Sequence, residues 1–112
     1  MFANSFFKLM EQKIAWLSQK SQLISDNIAK SDMPNATRTE IKPFEQLVNL
    51  SSSNPVLSVA KGTDPRSIQK TQDPIMREWE IMDLTETSNE YQALTALYKK
   101  NLNLIRQVTG RS

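Results

Sequence analysis

The side chains able to do chemistry here form a short inventory. Histidine and cysteine are absent from the 112 residues. That excludes thiolate and imidazole zinc sites, disulfides, thiol nucleophiles and every histidine-based triad. Carboxylate pairs and lysines remain, but the twelve acidic residues are scattered and no spacing singles out a pair for acid–base work. The only glycines, Gly62 and Gly110, cannot build a Gly-rich phosphate cradle. The expectation is a protein that is not an enzyme and carries no cofactor and no metal. Its net charge of +2 is nearly balanced. Lys8, Lys13, Lys20, Lys30, Lys99 and Lys100 are spread along the chain, which reads as solvated helix faces and not as a nucleic-acid footprint.

What remains is the chemistry of recognition, and its densest stretch is Ser25 to Pro34, "SDNIAKSDMP". An apolar repeat runs into this stretch and Pro34 closes it. Asp26, Asn27, Lys30, Ser31 and Asp32 make the last turn polar. Taken alone, these residues read as a capped helix end ahead of a proline.

The repeat that positions it is sharp. Ala3, Phe7, Met10, Ile14, Leu17, Ser21, Ile24 and Ile28 recur at steps of four and three, the seam of a helix that packs against other helices. Phe6, Leu9 and Leu23 widen it. A helix from about Ser5 to Lys30, with Asn4 or Ser5 as N-cap, would be about 39 Å long. Pro34 disfavours helical geometry at Met33. From residue 34 to 73 the chain turns proline-rich and polar, with "FEQLV" fitting a helical turn or two and "VLSVA" a short strand. The prolines argue against a regular sheet.

Asp73 and Pro74 then read as N-cap and first helical position of a second long helix. Leu84, Thr87, Tyr91, Leu94, Tyr98, Asn101, Ile105 and Val108 form its seam. Gly110 is expected as a left-handed cap, with Arg111 near the terminal carbonyls. Ser21 and Asn101 are the polar seam members, suited to fixing register or to a wet edge. Trp16 and Trp79 read as packing anchors. The expected fold is mainly all-α, an elongated unit of three parts: an N-terminal helix over 1–33, a loop-rich middle over 34–73 and a C-terminal helix over 74–112. Two helices cover little of each other's surface. Phe2, Leu9, Trp16, Leu97 and Leu104 are therefore expected to need other chains. No segment reaches the roughly 20 apolar residues of a membrane span, and no signal-peptide core is evident.

"QLISDNIAKSDMP" resembles the N-terminal signature of bacterial flagellar rod, hook and hook-associated axial proteins, in which a long helix ends in Asn-Asn-Ile/Leu-Ala-Asn before Thr-Pro-Gly and an aromatic. Asn27, Ile28, Ala29 and Pro34 match in order; Lys30, Met33, Asn35 and Ala36 depart from it. Asn35 is the best non-glycine choice for a left-handed turn residue. "NEYQALTALYKKNLNLIRQV" is similar to the C-terminal helix of the proximal rod (FlgB) type, through Tyr91, Gln92, Ala93, Leu94, Leu97, Leu102, Ile105 and Arg106. "KPFEQLV" resembles the Phe-(Asp/Glu)-x-x-Leu step of the same family. The resemblance covers roughly residues 8–48 and 75–108.

The resemblance implies a structural subunit of the flagellar basal-body rod, in the periplasmic part of the shaft and exported by the flagellar type III apparatus without a cleaved signal. The absence of cysteine suits that route. Its implied partners are other copies of itself, other rod proteins, the rod adaptor FliE and membrane-ring components. The two terminal helices would bundle, coiled-coil-like, with neighbouring subunits. The implied subunit interface comprises Phe7, Met10, Ile14, Leu17, Ile24, Asn27, Ile28, Pro34, Tyr91, Leu94, Tyr98, Asn101 and Ile105. Asn27 would there hydrogen-bond a neighbouring subunit. A different class of function fits the same helices: a cytoplasmic helical adaptor or export chaperone that binds a partner helix.

Overall fold

The computed structural model describes residues 2–50 and 68–110. The elements run in the order α1 (Phe2–Lys30), β1 (Thr37–Ile41), α2 (Phe44–Leu50), β2 (Ile68–Pro74) and α3 (Arg77–Thr109). The fold is mainly helical: the two long helices pack against each other, and a short two-stranded sheet sits in the middle.

α1 and α3 form an antiparallel hairpin, since partners rise along one helix as they fall along the other. Asn27 meets Glu80, Lys20 meets Asp83 and Phe7 meets Tyr98. The two sequence seams supply the facing ridges. α1 begins at Phe2, so Asn4 and Ser5 lie inside its first turn and not at its cap. It ends at Lys30, and the chain reverses through Asn35, whose φ of 62° is the left-handed geometry expected of that asparagine.

β1 and β2 pair antiparallel, from Thr37 opposite Pro74 to Ile41 opposite Ile68, with an irregularity between Thr37 and Thr39. This corrects the expectation of a loop-rich middle without a regular sheet. Both strands are polar, and their only long apolar members, Ile41 and Ile68, sit at the end that meets the core. Pro74 is tolerated because it ends a strand in a sheet of two, where a missing N–H breaks no inner ladder. The "FEQLV" helix appears as α2. The "VLSVA" strand lies outside the described residues.

Asp73 and Pro74 therefore belong to β2, which corrects the expected helix start. α3 begins at Arg77 behind an extended Met76 that makes no side-chain cap. Glu78 and Glu80 in its first turn favour the positive end of the helix dipole. α3 then runs unbroken to Thr109, about 50 Å at the standard rise. Gly110 is right-handed, φ −73°, and not the left-handed cap expected. Glycine is favoured there by a close approach: a Cβ would stand 2.6 Å from the Arg106 carbonyl oxygen. Arg111 lies outside the described residues.

The core gathers where α1, α2 and the sheet converge. Trp16, Leu17, Leu23, Ile41, Phe44 and Leu47 are buried together, with Ala15, Ile68 and Leu94 packed against them. Each such side chain contributes about 1.5–3 kcal/mol on burial. Trp16, expected to await another chain, is instead covered by its own. Its ring meets Phe44 edge-on at 6.0 Å, its indole N–H donates to the Lys42 carbonyl at 2.8 Å, and Lys13 Nζ lies 4.3 Å from the ring centroid.

Candidate functional site

The most concentrated polar chemistry among the described residues lies at Asn27, near the end of α1. Its side chain is 1% exposed. Asn27 Nδ2 donates to the Thr39 carbonyl at 2.8 Å, and Asn27 Oδ1 accepts from the Thr39 N–H at 3.0 Å. The second Nδ2 hydrogen reaches Glu80 Oε1 at 2.8 Å. An amide side chain has the donor and acceptor of a peptide, so Asn27 does for Thr39 what a third strand would do. It closes that edge of β1 and ties the strand to α1 and α3.

Glu80 is 3% exposed on the first turn of α3. A buried carboxylate requires compensation, and Arg38 of β1 supplies it, with Nε 3.6 Å from Glu80 Oε1. Arg38 also donates through Nη1 to Glu40 Oε2 at 2.6 Å, and Gln69 of β2 donates to the other Glu40 oxygen at 2.6 Å. Burial acts to lower the Arg38 pKa, but the Glu40 hydrogen bond and the Glu80 and Glu40 carboxylates outweigh it and hold it above the usual arginine value. An upward shift on a base stabilises the fold at every pH below the unfolded value and is lost only in strong alkali. The Arg38 carbonyl in turn accepts from Thr71 Oγ1 at 2.9 Å. The result is a clasp in which every element but α2 takes part. It offers hydrogen-bonding geometry and no activated nucleophile or acid–base pair.

Of this clasp Asn27 alone stands out in the sequence; Arg38, Thr39, Glu40, Gln69, Thr71 and Glu80 do not. One signal was available: the α3 seam extends backwards from Leu84 by four residues to Glu80, placing a lone carboxylate on the packing face. Nothing local marked Thr39, because its backbone carries the contact.

The seam residues differ in burial. Met10, Leu17, Ile24 and Asn27 are buried. Phe7, Ile14, Ile28, Leu94, Tyr98 and Asn101 are half-buried, and Pro34, Tyr91 and Ile105 are exposed. The buried four are thus covered by their own chain, because α3 folds back and presents its own seam to α1. Asn27 in particular makes its three hydrogen bonds within the chain, to Thr39 and Glu80. Phe7 and Tyr98 meet edge-on at 5.4 Å and 89°. Thr87 is fully buried in the seam and its hydroxyl has no partner; its small side chain suits a close helix contact.

Outside the seams, α3 shows much apolar surface. Trp79 and Met82 are each 70% exposed, with Leu97 and Leu104 about half exposed, and Val108, the last member of the seam itself, is 77% exposed. Phe6 and Leu9 of α1 are likewise uncovered. Among the described residues, no helix is long and apolar enough to cross a membrane, and no cluster of acidic side chains could hold a metal ion. No protein-family model, curated protein or solved structure matches the chain.

Proposed function

We propose that this chain is a structural subunit of the bacterial flagellar basal-body rod, closest to the proximal rod type. The observation that carries the reading is the likeness of "QLISDNIAKSDMP" and "NEYQALTALYKKNLNLIRQV" to the two helix signatures of that family. Two structural features support it. Both signatures fall on long terminal helices, and Asn35 adopts the left-handed turn that the family builds with glycine. Uncovered side chains such as Leu9, Leu97 and Leu104 offer surface to other copies, to other rod proteins, and to the FliE adaptor and membrane-ring components. The subunit would pass through the flagellar type III apparatus to the periplasmic part of the shaft and carry torque through interdigitated side chains.

Deletion of residues 91–108 tests the reading. It is expected to abolish rod assembly and motility, and a tagged full-length chain is expected in purified basal bodies. Normal motility with the deletion, together with a chain absent from basal bodies, overturns it.

A second reading is favoured by the closed clasp and by the intramolecular cover on Trp16, which give one copy a core of its own. In this reading the chain is a helical adaptor or export chaperone that stays in the cytoplasm and binds a partner helix along α3. Fractionation separates the two readings.

A further inference from the structure

α3 carries a second seam. Trp79, Met82, Ala93, Leu97, Leu104 and Val108 fall on one exposed stripe, and Glu86, Glu90 and Lys100 complete it at steps of three and four. The stripe lies about a third of a turn round the helix from the face that Thr87, Leu94 and Tyr98 present to α1. Its charges are polarised. Up to Glu90 the helix carries Glu78, Glu80, Asp83, Glu86 and Glu90 against Arg77 alone, and from Tyr91 onward it carries Lys99, Lys100 and Arg106 with no acid. The helix dipole favours such polarity only within the terminal turns, so it does not account for Glu86, Glu90 or Lys100.

We infer that this stripe pairs with the same stripe of a second copy, antiparallel, about a two-fold axis at Ala93. Only a second copy matches its order. With Ala93 opposite its own counterpart, Glu86 faces Lys100 of the second copy and Met82 faces Leu104, Trp79 comes within one residue of the level of Val108, and each pairing occurs twice. The smallest side chain of the stripe then lies at the crossing, where the helices approach most closely. Glu90 lies beside Leu97 at the edge of the groove that Lys13 of its own chain also lines. A parallel pair in register would set Glu86, Glu90 and Lys100 each against its own kind, which repels. A parallel pair shifted by two heptads restores the Glu86–Lys100 contact but leaves Met82 on an alanine and Leu104 on Glu90. The antiparallel register joins Glu86 to Lys100 and keeps Met82 and Leu104 on apolar partners, with Glu90 beside Leu97 its one unmatched position.

A two-fold pair is closed and does not propagate, so this inference stands apart from the rod reading. The lack of cysteine makes the test clean. Ala93→Cys and Leu104→Cys each introduce a single thiol at an exposed position, and circular dichroism checks that the full-length chain keeps its fold. Under mild oxidation Ala93→Cys is expected to form a chain-to-chain disulfide, and Leu104→Cys, facing Met82 of the second copy, is expected to form little. In sedimentation equilibrium Glu86→Lys is expected to weaken the pair roughly tenfold, and Glu86→Lys with Lys100→Glu to restore it. A monomer at every concentration, open-ended association, equal cross-linking of the two cysteine variants, or failure of the charge exchange to restore the pair overturns the inference.

Discussion

The two ends of the helical hairpin solve the same problem differently. At the sheet end, α1, α2, the strands and α3 bury Trp16, Leu17, Ile24 and Leu47, and Asn27, Glu80 and Arg38 satisfy one another. At the open end no sheet lies beside the hairpin among the described residues, and Phe6, Leu9, Leu104 and Val108 are exposed. Both ends carry the same three-and-four repeat. The repeat therefore marks where helices pack and does not say whether the partner lies in the same chain. The middle segment decides that, since β1, α2 and β2 complete the core at one end only.

If the sheet end holds the fold, substitutions there must dominate its stability. Asn27→Ala is expected to have the largest effect. It removes three hydrogen bonds and leaves the Glu80 carboxylate and both Thr39 backbone groups short of partners, at a cost of about 3–5 kcal/mol. Urea unfolding followed by circular dichroism should show this as a large fall in midpoint. A variant that unfolds like the parent would mean that the clasp does not hold the two ends of the chain together. Leu17→Ala, at a side chain 1% exposed, is expected to cost about 3 kcal/mol through lost burial and a cavity.

Trp16→Phe asks a narrower question about the same end. The smaller ring keeps much of the contact with Phe44 but loses the indole N–H bond to the Lys42 carbonyl. The expected loss is about 1 kcal/mol, the usual net value of one hydrogen bond. A loss several times larger would show that packing around Trp16, more than its polar tip, fixes α2 against α1.

These effects explain which features were legible in the sequence. The seams were, because helix packing is written locally as a period of three and four. Asn35 was, because few residues tolerate a left-handed turn. The strands were not: "TRTEI" and "IQKTQDP" are short and polar, and they pair across the whole middle segment. The Asp73-Pro74 helix signal misled for the same reason, since a local cap preference yielded to strand pairing with Thr37. Asn27 was conspicuous, yet its partners stand 12 and 53 residues away, and no local pattern could assign them.

The open end supplies the smallest expected effect on stability and the sharpest contrast. Leu104 is half exposed and outside the core cluster, so Leu104→Ser removes little that folding buries. Its unfolding midpoint should match the parent within about 0.5 kcal/mol, the range of an ordinary surface change. Association should nevertheless fall, because Leu104 is one of the apolar members of the exposed α3 stripe, and sedimentation of the variant beside the parent measures this directly. An unchanged midpoint with weakened association would separate residues that fold the chain from residues that join chains. A midpoint lowered even at concentrations where the parent is monomeric would instead place Leu104 in a contact made within one copy, and the division between the two ends would fail at that residue.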